Sequence, residues 1–501
     1  MVAKAHTFTL EGPKARHVVV ELDVRTGLPA FAIVGLADAA VREARERIQT
    51  AIRNSGFEWP RRRITANLAP GDLRKAGPGL DLALACSILA ATGQVPAEPL
   101  ARIGMFGELG LDGTVRPAYG TLAVADEARR RGFRALALAA PAAHAAALVD
   151  GIEIAPLRSL QSAARLLRGG PADPLPPRFA DEAEVAAHEE LELADVRGAR
   201  EAVRALLIAA AGGHSLLLSG PPGVGKTMLA RRLPAILPRL TGEEAVEVAR
   251  IHGRADRSPL ALERRPPFRV PHHATSPAGL LGGAGNGWVG ELALAHRGVL
   301  FLDEVSEFSR SALEALRQPM EEGRIRIARA RRLHELPANF LLVCAANPCA
   351  CGAAPCRCSP RELRLHTRRL SGPLLDRIDM RVAIDPAPRA LALEPAAPTS
   401  VRARAVVTDA RERQFRRVPG ILNSHLGARA LAGQAALDAG GERLLREAAQ
   451  RGALSARGQD RTVALARTIA DLAASERVRA RDVRAALELR CAAPCSHPRA
   501  G

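Results

Sequence analysis

Gly220-Pro-Pro-Gly-Val-Gly-Lys-Thr227 is the stretch that decides the fold of this 501-residue chain. It lies between the apolar segment Ser215–Ser219, a predicted strand, and Met228–Leu233, a predicted helix. Glycines at these positions let backbone N–H groups face phosphate oxygens, and the following helix adds the partial positive charge of its N-terminus. A chance glycine-rich turn is the alternative, but it does not explain why a strand and a helix flank the G-x-x-x-x-G-K-[ST] pattern. The stretch therefore predicts a P-loop, a nucleotide site in an α/β fold.

The lysine of this loop stands out in the composition. The chain has 71 Lys and Arg residues, and only four of them are lysines, at positions 4, 14, 75 and 226. A bias of the source genome toward arginine is the simplest cause, and the Ala-rich sequence supports it. A compact ammonium suits a loop that encloses phosphates better than a branched guanidinium does. We therefore expect Lys226 to contact the β- and γ-phosphates of ATP, and Thr227 to bind Mg²⁺.

A second segment, Gly298-Val-Leu-Phe-Leu-Asp-Glu304, is an apolar strand that ends in two acids. At this distance after a P-loop, it predicts that Asp303 holds Mg²⁺ through water and that Glu304 polarises the attacking water. An ordinary buried strand with an exposed acidic end is the alternative. The residues expected to bind the nucleotide and its metal ion are Gly220, Pro221, Pro222, Gly223, Val224, Gly225, Lys226, Thr227 and Asp303.

A third apolar strand, Phe340–Ala346, ends at Asn347. In this order the segments resemble P-loop ATPases of the AAA+ class, in which an Asn at this place orients the water (sensor 1). The same resemblance implies that Arg377, within Ser371–Asp379, is an arginine finger that acts on the ATP of a neighbouring subunit. It makes Arg457 a candidate sensor 2, with Arg461 as the substitute candidate. For each arginine alone, a surface salt bridge is the alternative.

Longer motifs make the resemblance more specific, and they are spread over nearly the whole chain: Pro271–Gly283, Gly290–His296, Gly298–Phe308, Asn347–Gly352, Ser371–Asp379 and Ala466–Leu472. The chain resembles the Mg-chelatase-like AAA+ ATPases, and within them the ComM (YifB) group. The resemblance implies a bacterial ATPase that assembles into a ring, expected to be a hexamer. It also implies movement on single-stranded or branched DNA, as a helicase or branch-migration ATPase of homologous recombination in natural transformation.

The N-terminal region is similar to the Lon-protease-type domain, whose fold resembles a ribosomal-protein domain. Ile64–Leu84 and Gly107–Gly120 carry this similarity. The proteases need a Ser after Gly-Pro and a later Lys, but this chain has Gly79 and Ala123 near those places. Without a nucleophile and a base we expect no proteolysis, and a DNA-binding or assembly role is the interpretation left.

Composition and linkers suggest how the chain is divided. The Pro-rich Pro171–Pro177 and the Pro- and Ala-rich Pro386–Pro398 are the candidate breaks. We predict an α+β Lon-like domain over 1–170, a linker over 171–187, an α/β P-loop AAA+ core over 188–385 and a C-terminal helical lid over 386–501.

Charge points to an acidic partner. The formal net charge is +18, and residues 402–501, with 19 basic and 10 acidic residues, hold half of it. Between Glu322 and Arg332, arginines alternate with apolar residues, which is the pattern of a β-hairpin. The family places a hairpin here, facing the pore of the ring. The candidate DNA contacts in it are Arg324, Arg326, Arg329, Arg331 and Arg332, and a solvated basic hairpin is the alternative. Arg411, Arg413, Arg416 and Arg417 form a second candidate surface, or pack against the ATPase core.

Four cysteines lie close together as two C-x-C pairs, Cys349 with Cys351 and Cys356 with Cys358. Four thiols are a common ligand set for structural Zn²⁺, although the usual spacing within a pair is wider. Reduced loop cysteines are the alternative. We see no apolar run long enough for a membrane span and no signal peptide, so we expect a cytoplasmic protein without a membrane partner.

Two other functions remain open at this stage. One is a motor subunit of a magnesium chelatase, which has the same ATPase motifs. The Lon-like domain and the basic tail argue against it. The other is a binding protein in which ATP serves only as an assembly switch. Stimulation of ATP hydrolysis by DNA separates the DNA motor from both.

Overall fold

The computed structural model describes residues 2–11, 14–36, 39–73, 75, 77–175, 191–253, 263–283, 289–329, 332–349, 351–352, 356–369, 372–384, 397–452 and 454–491. Two compact units are present, one of Met1–Val185, Thr241–Glu263 and Gly285–Val289, the other of Ala186–Leu240, Arg264–Ala284 and Gly290–Gly501. Among the helices of the described ranges, none combines the length and the apolar character that crossing a membrane requires.

The strands, in chain order, are β1 Val2–Glu11, β2 Lys14–Arg25, β3 Ala30–Val34, β4 Arg63–Ala69, β5 Ile103–Phe106, β6 Glu108–Leu109, β7 Val115–Arg116, β8 Ala135–Ala139, β9 Glu153–Leu157, β10 Leu216–Ser219, β11 Phe268–Arg269, β12 Val299–Leu302, β13 Arg324–Arg329, β14 Arg332–Pro337, β15 Leu341–Ala346 and β16 Met380–Ala383.

The helices are α1 Ala39–Asn54, α2 Asp81–Ala91, α3 Thr121–Arg130, α4 Ala143–Ala146, α5 Leu160–Leu167, α6 Arg200–Gly212, α7 Lys226–Ala230, α8 Leu233–Ile236, α9 Gly242–Gly253, α10 Pro277–Leu281, α11 Glu291–Leu294, α12 Arg310–Ala315, α13 Arg317–Glu322, α14 Pro360–Arg369, α15 Gly372–Arg377, α16 Ser400–Arg417, α17 Ala428–Gln434, α18 Ala439–Gln450, α19 Ala456–Leu472 and α20 Ala480–Cys491. Short 3-10 turns are Pro78–Leu80, Glu98–Ala101, Ala140–Ala142, Leu193–Asp195, Val305–Glu307 and Asn423–His425.

The first unit is built on a mixed sheet in the order β3-β4-β2-β1-β5-β8-β9. Successive residues of a strand point to opposite faces, and β8 shows this division directly. Ala137 and Ala139 belong to the core that contains α1, α2 and α5, whereas Leu136 and Leu138 belong to the core that contains α3 and α4. Helices therefore cover both faces of this sheet, and the unit mixes helices and strands as the sequence predicted for this region.

The place expected to hold a protease nucleophile has no room for a side chain. A Cβ on Gly79 would lie 2.3 Å from a ring carbon of Phe106. That distance is far below van der Waals contact, and both residues are buried. The packing therefore supports the expectation that this unit lacks a catalytic serine here.

The second unit is built on a parallel sheet in the order β11-β12-β15-β10-β16. Every residue of the three middle strands β12, β15 and β10 is buried, as expected for a parallel sheet covered on both faces. These are the three strands that the sequence predicted. Because parallel strands end at the same edge, the segments that follow β10, β12 and β15 meet there.

C-terminal helices of the second unit pack against α6 and share its core. Three of the four tail arginines considered for DNA bond inside this unit. Arg411 donates through Nε to a carbonyl of α6 at 2.9 Å, Arg413 donates to the Asp471 carbonyl at 3.2 Å, and Arg417 binds the Asp471 carboxylate at 2.5 Å. The alternative of packing against the core therefore accounts for these three, while Arg416 is exposed beside Glu412.

Candidate nucleotide site

The loop between β10 and α7 has the backbone that the sequence predicted. Gly225, immediately before α7, has φ 92°, a left-handed value that side chains rarely adopt. Gly220 is required for a different reason, since a Cβ there would lie 2.5 Å from the carbonyl oxygen of Ile384 at the end of the neighbouring strand β16. These two glycines make the tight approach of the loop to the sheet possible.

Lys226 begins α7 and its side chain is buried inside the loop. Its Nζ donates to the carbonyl oxygens of Gly220 at 2.6 Å and Pro221 at 2.8 Å, and to Oδ1 of Asn347 at 3.0 Å. Burial lowers the pKa of Lys226, and the carboxylates of Asp303 and Glu304 oppose that shift. The ammonium is therefore held by oxygen acceptors in the place where a phosphate would supply them.

Thr227 and Asp303 form the second contact of the site. The Thr227 hydroxyl donates to Oδ2 of Asp303 at 2.8 Å, and Oδ1 of Asp303 accepts the backbone N–H of Glu304 at 3.0 Å. A hydroxyl and a carboxylate oxygen side by side at the edge of the phosphate loop are ligands that Mg²⁺ accepts. These residues fit the ion that the sequence predicted for them.

Glu304 adopts φ 49° and ψ 49°, in the left-handed region. A non-glycine residue there is uncommon and carries local backbone strain. Its side chain is exposed directly after the buried strand β12. The strand end thus presents one acid to the loop and the next acid to solvent.

Asn347 follows β15, the strand between β10 and β12. Besides its contact with Lys226, its backbone carbonyl accepts a hydrogen bond from Nε2 of His366 at 2.9 Å. Its side-chain amide therefore stands at the phosphate loop, held from behind by α14.

Arg377 and Arg457, the candidate finger and sensor 2, meet at one carboxylate that sequence reasoning missed. Oε1 of Glu321 accepts Arg377 Nε at 2.7 Å and Arg457 at 2.8 Å. Burial alone would raise the pKa of Glu321, but the hydrogen bonds and charges of the two arginines lower it overall. The chain distances of 56 and 136 residues gave no local signal of this meeting.

Arg461, the substitute candidate for sensor 2, has a different position. It donates to Oδ1 of Asp379 at 2.5 Å and to the carbonyl of Arg377 at 2.6 Å. Burial would raise the pKa of Asp379, but the hydrogen bond from His214 and the charge of Arg461 hold it well below its usual range. Arg461 thus binds the backbone at the C-terminal end of α15.

The basic hairpin is present as β13 paired antiparallel with β14, from Arg324 opposite Pro337 to Arg329 opposite Arg332. Arg324 binds Glu335 at 2.5 Å, and Arg326 binds Glu322 at 3.2 Å. Two of the five candidate DNA contacts are therefore partly neutralised. Arg331 and the side chains of Arg329 and Arg332 lie outside the described residues.

The cysteine cluster that the sequence predicted to bind zinc is brought together. One sulfur atom from each of Cys349, Cys351, Cys356 and Cys358 lies within 4.8 Å of the others. Cys349 is buried and Cys351 is exposed.

Comparison with known proteins gives matches over almost the whole chain. Three family profiles match: "Magnesium chelatase, subunit ChlI" over residues 192–391, "Subunit ChlI of Mg-chelatase" over 20–141 and "Magnesium chelatase, subunit ChlI C-terminal" over 397–490. An uncharacterized protein of Mycobacterium tuberculosis is 41% identical over 98% of both chains. The YifB protein of Salmonella typhimurium is 38% identical over 98% of this chain and 97% of its own. Competence protein ComM of Haemophilus influenzae is 37% identical over 93% of both.

Replacement of Lys226 tests the phosphate loop. We expect Lys226→Ala and Lys226→Arg to weaken binding of a fluorescent ATP analogue by about ten- to a hundredfold, because each loses charge-assisted hydrogen bonds that a compact ammonium makes. Lys4→Ala is the control, since Lys4 is an exposed lysine that binds Glu21 in the other unit. Retention of normal affinity in Lys226→Arg would contradict the argument that the loop requires an ammonium.

Replacement of Glu321 tests whether it competes with nucleotide for the two arginines. We expect Glu321→Gln to tighten binding of the ATP analogue by about two- to fivefold, the scale of an exposed ion pair. Addition of Arg457→Ala should cancel the gain, which a double-mutant cycle measures. Glu322→Gln, the same change on the next residue of α13, is the control and should leave affinity unchanged. Weaker binding in Glu321→Gln would show that the carboxylate supports the site instead.

Proposed function

The chain belongs to the magnesium-chelatase-like family of AAA+ proteins that includes YifB and ComM, and from this premise we propose that it is an ATP-driven DNA motor. In this proposal a ring, expected to be a hexamer, hydrolyses ATP to move branched or single-stranded DNA as a helicase or branch-migration ATPase. The process served is homologous recombination during natural transformation.

The observation that carries the proposal is the convergence of the P-loop lysine, the Thr227–Asp303 pair and Asn347 at one edge of the parallel sheet. These positions support a route for hydrolysis. Lys226 binds the β- and γ-phosphates, and Thr227 and Asp303 would hold Mg²⁺, which would neutralise charge on the phosphate oxygens. Glu304 accepts a proton from a water that Asn347 orients; the water oxygen bonds to the γ-phosphorus, and the bond to ADP breaks.

The basic hairpin supports DNA as the partner. β13 follows α13, the helix that contains Glu321. β14 leads through a short connection into β15, the strand that ends just before Asn347. Ile325 and Leu336 are buried opposite each other at its base. A displacement of the hairpin by DNA would therefore reach both Glu321 and the phosphate loop through short, packed connections. The arginine finger proposal for Arg377 needs a neighbouring subunit, which the ring supplies.

The name of ComM refers to competence, and the family profiles refer to magnesium chelatase. A chelatase-type motor subunit therefore remains the second candidate, and an ATP-switched assembly protein the third. The arginine-rich hairpin favours DNA over a porphyrin or a protein partner, because phosphate contacts supply most of the affinity of non-specific DNA binding.

One experiment tests the motor directly. Labelled Holliday-junction DNA is incubated with the full chain, with ATP and without it, while ATP hydrolysis is followed with and without DNA. We expect DNA to stimulate hydrolysis and the junction to be resolved into separated duplexes only with ATP. Glu304→Gln is the control, since it should still bind ATP but not hydrolyse it. Absence of both DNA stimulation and ATP-dependent strand movement would refute the proposal.

The hairpin makes a quantitative prediction. We expect the double variant Arg331→Ala, Arg332→Ala to make the slope of log affinity against log salt less steep by about 1.4–1.8, because each phosphate contact contributes about 0.7–0.9. The matched control is Arg324→Ala with Arg326→Ala, whose guanidiniums already bind Glu335 and Glu322, so the slope should change less. An unchanged slope in the first variant would remove the hairpin from the DNA path.

A further inference from the structure

Four thiols converge in the loop that follows Asn347. Cys349 Sγ lies 3.4 Å from Cys351 Sγ, and Cys351 Sγ lies 3.8 Å from Cys356 Sγ. A tetrahedral ion with Zn–S bonds of about 2.3 Å places its ligand sulfurs about 3.8 Å apart. The Cys358 thiol completes the set within the 4.8 Å limit that all four share. The observed separations thus fit one ion at the centre of four thiolates.

A backbone contact also orders the cluster. The backbone N–H of Cys358 donates to Sγ of Cys356 at 3.4 Å, a contact that orients a ligand sulfur. Arg357 lies between these two cysteines and brings a positive charge next to a site that would carry excess negative charge. Cys349 is buried, Cys351 is exposed and the other two thiols are partly exposed, and four Cys ligands are a set that structural zinc sites use.

The same loop touches the phosphate loop. Gly352, one residue after Cys351, has φ 61°, and a Cβ there would lie 2.9 Å from Cγ of Pro222. The turn that carries two of the cysteines therefore packs directly against the second proline of the P-loop, in a contact that leaves no space for a methyl group.

Both ends of the loop are connected to Asn347, one through the chain and the other through a hydrogen bond. The chain leaves Asn347, reaches Cys349 two residues later, passes Cys358 and enters α14 at Pro360. From α14 the buried His366 returns to donate to the Asn347 carbonyl. A metal ion that joins Cys349 to Cys358 closes this excursion, and closing a loop restricts the conformations of the residues at its ends.

From these contacts we propose that Cys349, Cys351, Cys356 and Cys358 bind one structural Zn²⁺, and that the zinc loop holds Asn347 and Pro222 in place at the phosphate loop. Binding of zinc stands independently of the proposed function. Its effect on the nucleotide site rests on that function's ATP-binding step, but not on DNA movement.

Metal analysis tests the zinc site. The full chain, purified without a His tag and under reducing conditions, should contain about one zinc ion per chain and no stoichiometric iron. Cys351→Ser and Cys356→Ser should each lose zinc to a chelator at least about tenfold faster than the unmodified chain. Cys491→Ser is the control, because Cys491 is an exposed thiol outside the cluster. Zinc well below one per chain, iron in its place, or unchanged zinc retention in both cluster variants would overturn the metal proposal.

Linkage tests the connection to the nucleotide site, and it needs no variant that risks misfolding. If the zinc loop and the phosphate loop stabilise each other, a saturating ATP analogue should tighten zinc binding to the unmodified chain by about fivefold or more, measured by equilibrium competition with a chelator, since coupling between affinities is reciprocal. A mercurial that displaces zinc should in turn weaken binding of the analogue. A zinc affinity that is insensitive to the analogue would refute the coupling while leaving the metal site intact.

Gly352→Ala separates the two parts of the proposal. The added methyl group should press on Pro222 and weaken binding of the ATP analogue, while the four thiols still bind about one zinc. Gly420→Ala is a control with a similar backbone strain, since Gly420 has φ 72° but no neighbouring atom within 4 Å of the added Cβ. Normal nucleotide affinity in Gly352→Ala would contradict the packing step.

Discussion

The contact on which the nucleotide site depends is the buried ammonium of Lys226 between three oxygen atoms, two from its own loop and one from Asn347. A charge in this position requires acceptors, because burial of an unpaired ammonium costs several kcal/mol or drives off its proton. Phosphate oxygens are acceptors of the same kind, which is why this ammonium suits the proposed nucleotide site. The parallel order of β10 and β15 makes the arrangement possible, since it brings two loops distant in sequence to the same edge.

The carboxylate of Glu321 binds the two arginines near this site. Glu321 holds both Arg377 and Arg457, so the two guanidiniums that family resemblance assigns to ATP bind one side chain of the same chain. Because α13 leads through Gly323 into the hairpin, this carboxylate stands between the candidate DNA surface and the ATP site. The pair of Glu321 with Arg457 is exposed on both sides, and such an ion pair is weak enough to be exchanged for a phosphate. Glu321 therefore suits a contact that is made in one state and released in another.

Local sequence patterns predicted the individual elements of the site but not the contacts between residues far apart in the sequence. The phosphate loop, the acidic strand end after Leu302 and the hairpin were predictable because each is a short pattern with a fixed spacing. The contact of Asn347 with Lys226 was not, since it depends on strand order across 121 residues. The role of Glu321 could not be predicted either, because nothing in the sequence distinguishes it from Glu322, the adjacent residue with the same charge. The assignment of α9 to the first unit also follows from tertiary packing, with Ala249 against Leu148.

The net charge of +18 looks different once the arginines are placed. Arg467 is fully buried beside Asp471, and Arg490 binds the backbone and carboxylate of Asp376. Together with the three tail arginines that bond inside the second unit, they join the C-terminal helices to one another, to α6 and to α15. A guanidinium suits this work because its several donors can bind a carboxylate and carbonyls at once. Half of the formal excess lies in the tail, but much of it is committed to internal contacts. The argument for a DNA partner therefore depends on the hairpin. A count of charges along the sequence cannot show that much of the positive charge of the tail is used internally.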